Sequence, residues 1–194
     1  KVLPREGERA LGVATLTQIR VALNETGIDA LPFCVDPEGR AALEKIGTRL
    51  YPDGTAPEDL TVHVIDHEMI NAFALPGGIV VFFNGLIQEA ASPEEVAAVY
   101  AHEVGHVAAR DPTRIALRSA GSIGVLGLLF GDFAGGAIVL FLAERIISAD
   151  YSQAAEAQAD DYAHQTMNRA MARPAAMADF FERLRAEYGE APGL

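Results

Sequence analysis

The chain has 194 residues, half of them hydrophobic, with 15 Lys+Arg against 27 Asp+Glu and a formal charge of −12. That size suits one domain with a real core, and the apolar fraction excludes global disorder. The acidity argues against a nucleic-acid partner, and the single cysteine, Cys34, excludes an internal disulfide framework or a multi-cysteine zinc site; its thiol reads as a small buried hydrophobe.

The sequence opens on Lys1 rather than Met, without a signal-peptide pattern, and reads as a fragment or a processed form. Leu11, Ile19 and Leu23 mark a first helix over residues 8–25, broken at Thr26-Gly27 and Leu31-Pro32. Asp36 caps and Pro37 opens a second helix to Leu50, which ends at Tyr51-Pro52-Asp53-Gly54. LTVHVIDH (60–67), NAFAL (71–75) and IVVFF (79–83) follow as strands, the last two joined by Pro76-Gly77-Gly78 in a hairpin-like turn. The sheet is read as three-stranded, or four-stranded at most, with NAFAL at its edge because it is short. His63, Asp66 and His67 read as surface groups. From Asn84 onward the pattern is helical. Ser92-Pro93-Glu94-Glu95 is a capping box that starts the helix running to Asp111-Pro112, and another helix begins at Thr113. Between Arg118 and Glu144 the one charge is Asp132, amid recurrent glycines. Residues 119–143 read as a helical hairpin, either buried or in contact with a membrane, since Asp132 divides it into pieces too short to span separately. The whole is read as one domain, 1–194: N-terminal helices 1–58, a core 59–170 and a C-terminal helix 171–194.

Inside the central helix stands His102-Glu103-Val104-Gly105-His106. Four helical residues turn about 400° and rise about 6 Å, so the two imidazoles point the same way. At that spacing they can share one tetrahedral Zn²⁺ per chain, and Glu103, about 100° around, can reach a water on that ion as general base. Gly105 leaves room for close packing behind the metal. A catalytic zinc takes a third protein ligand, and the residues after His106, VAARD, offer no third histidine at metzincin spacing. A later helix, Ala149 to Gln165, offers Glu156 and Asp160 four apart. Glu156 would bind the metal, and Asp160 would accept a hydrogen bond from a ligand histidine's other nitrogen.

These residues carry a resemblance. Asn71 through Gly78, Asn84-Gly85-Leu86, Ala101 through His106, Tyr151-Ser152 through Glu156, and Ala159-Asp160 agree in order and spacing with a known family. Over residues 60–165 the chain resembles the membrane-associated gluzincin zinc metallopeptidases, the family of HtpX, the CAAX-prenyl protease, BepA and the Oma-type protease. The resemblance implies an α+β, mostly helical, zincin-like fold, with His102, His106 and Glu156 as zinc ligands and Glu103 as catalytic acid/base. It further implies Asp160 as the group orienting a histidine, and Asn71, Ala72, Phe73 and Ala74 as the sheet edge on which an extended or unfolded protein substrate pairs. A role in membrane or envelope protein quality control and a place in a bacterial-type envelope, periplasmic or inner-membrane associated, follow from it as well. Two departures stand out: Gln153 replaces a usual arginine, and no histidine follows His164 to stabilise an oxyanion. His164 itself reads as a half-buried helix residue, leaving Tyr151 and Tyr162 for that task. The expected activity is zinc-dependent endopeptidase. The alternatives are a zinc-binding chaperone-like or latent module, and a structural helical domain without zinc.

Overall fold

The computed structural model describes residues 3–24, 29–118 and 151–189. Helix α1 (Arg5–Ala22) buries Glu8, Gly12, Thr15, Leu16 and Ile19, a single stripe at helical spacing. It starts three residues before the sequence expectation because Pro4 holds an extended N-cap conformation there. Helix α2 (Pro37–Leu50) has the expected bounds, and the Asp36 side chain accepts the Gly39 N–H at 2.7 Å.

Strands β1 (Thr61–Ile65), β2 (Ala72–Leu75) and β3 (Ile79–Phe83) form a mixed sheet in the order β1-β3-β2. The central strand β3 runs parallel to β1 and antiparallel to β2. All five of its residues are fully buried, as a central strand with both faces covered must be. Alternation splits the core in two. Ile79, Val81 and Phe83 join Phe73, Leu75 and Ile65 against Leu16 and Ile19 of α1. Val80, Phe82 and Ala72 face the helical layer on the other side. The four-strand alternative reduces to one bridge, Phe33 with Ile65, on the outer side of β1; Cys34 beside it is half-buried.

The β2–β3 turn is pressed onto α1. A Cβ on Gly12 would lie 2.0 Å from the Pro76 carbonyl oxygen, and one on Gly77 (φ +76°) 2.5 Å from the Arg9 Cα. Glycine at both places lets backbone meet backbone. Arg9 adds hydrogen bonds to the Gly77 carbonyl and the Thr61 hydroxyl.

Short α3 (Asn84–Glu89) leads to α4 (Pro93–Ala109), which runs through the middle of the molecule. Ser92 caps α4 as expected, but Glu95 reaches one residue further back than a capping box requires and accepts the Ala91 N–H at 2.7 Å. Its carboxylate also meets Arg183 at 2.5 Å, and that pairing draws it off the Ser92 amide. After Arg110 the chain is helical again over 111–118. Helix α5 (Gln153–Arg169), capped by Ser152, packs along α4, and α6 (Ala176–Tyr188) seats Phe180 and Leu184 in the helical core. The 119–143 hairpin lies outside the described residues. Among those described, no helix is long and apolar enough to cross a membrane.

Candidate metal centre

Two helices build the site. α4 carries His102, Glu103 and His106; α5 carries Glu156 and Asp160. Their approach depends on Gly105, where a Cβ would stand 2.9 Å from the Ala159 Cα and 3.2 Å from its carbonyl oxygen. Any larger residue would lever α5 away. Ala159 is one turn from Glu156 and adjacent to Asp160, so this contact sets both carboxylates against the histidines.

His102 Nε2 lies 3.2 Å from His106 Nε2 and 3.4 Å from Glu156 Oε2, and His106 Nε2 lies 3.7 Å from Glu156 Oε1. A tetrahedral ion with bonds of about 2.0–2.1 Å needs ligand atoms about 3.3 Å apart. The two imidazoles meet that spacing, and the Glu156 carboxylate, approached through a different oxygen by each ring, completes a group whose ligand atoms lie within 4.8 Å of one another. Each imidazole is held from behind: His102 Nδ1 faces Asp160 Oδ1 at 3.0 Å, and His106 Nδ1 faces Asp111 Oδ2 at 3.1 Å. With Nδ1–H donated to a carboxylate, each Nε2 offers a lone pair. Two lone pairs and a carboxylate converging on one gap call for a cation. The charges agree: burial alone would lower His102, but the bond to Glu156 and the charges of Glu103, Glu156 and Asp160 outweigh it and raise its pKa. Burial pushes Glu156 up, but its bond to His102 and the charges of His106 and His102 prevail and lower it.

Glu103 is buried, and burial drives its carboxyl pKa up despite the charges of His102 and His106 and the Ala74 N–H. Glu103 Oε2, Glu156 Oε1 and the Tyr151 hydroxyl are buried without a hydrogen-bond partner among the described residues. The Tyr151 ring stacks on His106 with centroids 4.0 Å apart and an interplanar angle of 12°.

The other residues expected at the site are scattered. Tyr162 packs in the helical core facing Tyr51, away from the ligand atoms. His164 is exposed rather than half-buried, because it lies on the outward face of α5. Gln153 is exposed at the first turn of α5. His63 stacks on Phe33, and His67 Nδ1 accepts the Met69 N–H, both apart from the site. β2 is an edge strand, as expected from its length. The Phe83 N–H donates to the Asn71 carbonyl at 3.0 Å, so by antiparallel alternation Ala72 and Ala74 turn their N–H and C=O groups outward. Asn71 Oδ1 takes the Ala72 N–H at 2.8 Å, and the Ala74 N–H faces Glu103. All four residues of β2 are nonetheless buried, since α1 and α4 cover its two faces.

Asp111 is a site residue that the sequence did not suggest, because it reaches His106 Nδ1 only through the reversal of the chain at Arg110, which no local spacing encodes. The available signal was an acid five positions past His106, at the point where the helix pattern breaks.

A family model described as Peptidase family M48 matches residues 37–191. Metalloprotease LoiP of Escherichia coli K12 is 33% identical over 127 residues, 59% of this chain and 47% of its own length. The beta-barrel assembly-enhancing protease of the same organism is 29% identical over 175 residues, 83% of this chain and 36% of its own. The mitochondrial metalloendopeptidase OMA1 of Schizosaccharomyces pombe is 32% identical over 130 residues, 66% of this chain and 39% of its own. The chain thus spans less than half the length of each of these relatives.

Proposed function

The chain belongs to peptidase family M48, and from that membership we propose that it is a zinc-dependent endopeptidase acting on extended or unfolded protein segments. The observation that carries this is the convergence of His102 Nε2, His106 Nε2 and the Glu156 carboxylate, one ligand atom from each lying within 4.8 Å of the others, with a buried, unpartnered Glu103 oxygen alongside. His102, His106 and Glu156 would hold Zn²⁺, with Asp160 and Asp111 fixing the rings. Once held there, the ion would supply Lewis acidity to the attacking water and to the scissile carbonyl.

The chain's own groups do the rest. Glu103 accepts the proton of the attacking water and delivers it to the leaving nitrogen. Tyr151 donates its hydroxyl hydrogen to the oxygen that gains charge; its buried, otherwise unpartnered hydroxyl supports that assignment. A substrate strand pairs along the Ala72–Ala74 edge, beside Glu103, through its outward carbonyls, since the Ala72 and Ala74 N–H groups are engaged by Asn71 Oδ1 and Glu103; such backbone contacts are largely indifferent to sequence. A location in a bacterial-type envelope, with substrates there, is supported by likeness to a relative named a beta-barrel assembly-enhancing protease. Helices α1, α2 and α6 serve as supports to the core, 59–170, of a single domain 1–194.

The deciding experiment replaces Glu103 with Gln and follows casein cleavage and zinc content together. Turnover should fall at least a hundredfold, as loss of a general base does, with one zinc per chain retained. Equal turnover in variant and parent would sink the proposal. A chaperone-like or latent module predicts that equality at a low level.

A further inference from the structure

The corner between α4 and residues 111–118 is built on a residue in an uncommon conformation. Arg110 has φ 58°, ψ 31°, the left-handed region, where its N–H caps α4 by bonding the His106 and Val107 carbonyls. A side chain with a Cβ is disfavoured there by contact with the following carbonyl oxygen. The reversal it produces brings the next residue, Asp111, under His106. Arg110 is gripped from α1. Its Nε meets Glu8 Oε1 at 2.9 Å, its Nη2 closes on the same oxygen, and Nη2 also donates to the Leu3 carbonyl at 2.9 Å. Glu8 is 6% exposed although charged, and α1 is itself fixed on the β2–β3 turn by Gly12, Gly77 and Arg9. Arg114 holds the other Asp111 oxygen at 3.1 Å, so the carboxylate cannot follow His106 if the corner shifts. α1 precedes residue 37, where the family match begins.

We propose that Glu8 is a positioning residue for the metal centre: through Arg110 it holds the left-handed corner that sets Asp111 against His106. This rests on taking His102, His106 and Glu156 as a metal site. The chain of contacts makes α1 docking and metal binding mutually supportive, since whatever favours one arrangement of the corner favours both. An ordinary stabilising ion pair would lack that coupling.

Zinc stoichiometry and affinity are measured first on the parent protein by chelator competition. An absence of stoichiometric zinc there overturns the metal site itself and the proposal with it. Given a zinc-binding parent, Glu8→Gln should weaken zinc about tenfold, and Asp111→Asn about 10–100-fold, the usual range for groups behind a ligand. Adding Glu8→Gln to Asp111→Asn should cost little more, because both act on one imidazole. Adding Arg110→Gly to Glu8→Gln should return affinity to within about threefold of the parent, because glycine takes the left-handed conformation unaided. Unchanged zinc affinity in Glu8→Gln, with only a lower melting temperature, overturns the proposal; so does a loss that glycine does not recover. If Glu8→Gln does not fold, Glu8→Asp takes its place, since it keeps the charge and withdraws it by one methylene. Weakened zinc in Glu8→Asp supports the coupling, and parental affinity overturns it.

Discussion

Both Nε2 atoms point into one gap because each Nδ1 is already engaged by a carboxylate, Asp160 for His102 and Asp111 for His106. Geometry of this kind is set one side chain at a time, and so are its tests. Tyr151→Phe keeps the ring on His106 and removes only the hydroxyl. Expected is a fall in kcat of about 10²–10³-fold with KM and zinc content held, as for loss of one oxyanion donor. Steady-state kinetics on a fluorogenic peptide decides it, and an unaltered kcat removes Tyr151 from the chemistry. His63 gives a pH effect away from the site. Burial and the charges of Arg9 and Arg20 lower its pKa in the folded chain. As pH falls past the unfolded value of about 6.5, the unfolded chain takes up the proton first, so stability is lost from there down through the folded pKa. His63→Gln should therefore gain melting temperature relative to the parent between pH 7.5 and pH 5. A difference independent of pH would refute the sign given.

At the scale of elements, the decisive contact is α4 against α5 at Gly105 and Ala159. Alanine usually gains up to about 1 kcal/mol over glycine inside a helix. Here its Cβ would meet backbone at 2.9 Å, and overpacking of that sort costs about 1–3 kcal/mol. Gly105→Ala is thus expected to lower the melting temperature and also to weaken zinc binding, since α5 carries Glu156. Tighter zinc binding in that variant would show that the helices are not held at closest approach. The sheet shows a related economy. β2 is short and lies at an edge, yet it is buried, because glycines at 12 and 77 let α1 sit directly on its turn.

At the scale of the molecule, the proposed ligands come from two helices separated in sequence, so metal binding would be coupled to folding. Metal present at about a thousand times its dissociation constant adds about 4 kcal/mol. For a domain of this size that is roughly 8–16 °C in melting temperature. Chelation should lower the thermal midpoint by about that much and added zinc should restore it; scanning calorimetry that finds no shift argues against a zinc centre. Among the described residues, three ion pairs tie the outer helices to α4 or its ends: Glu8–Arg110, Glu95–Arg183 and Arg49–Glu94. The first two bury their carboxylates, so loss of either arginine would leave an unpaired buried charge, which is far costlier than losing an exposed pair.

Local patterns were enough for much of this. Capping residues Asp36 and Ser92 marked helix starts, an alternating run marked the first strand, the Pro76-Gly77-Gly78 turn marked the two strands that flank it, and the i, i+4 histidines with Gly105 between them marked one helix face as a candidate for metal, because each is a property of a few neighbouring residues. The pairing of Glu156 and Asp160 with that face was legible from spacing and from family likeness. Packing of distant segments decided the remainder. It placed Asp111 under His106 through a left-handed residue held by α1, set Tyr151 over the ring, sent Tyr162 into the core and left His164 in solvent. Contacts between residues about a hundred positions apart, such as Glu8 and Arg110, exist only once the core has formed, and no local periodicity encodes them.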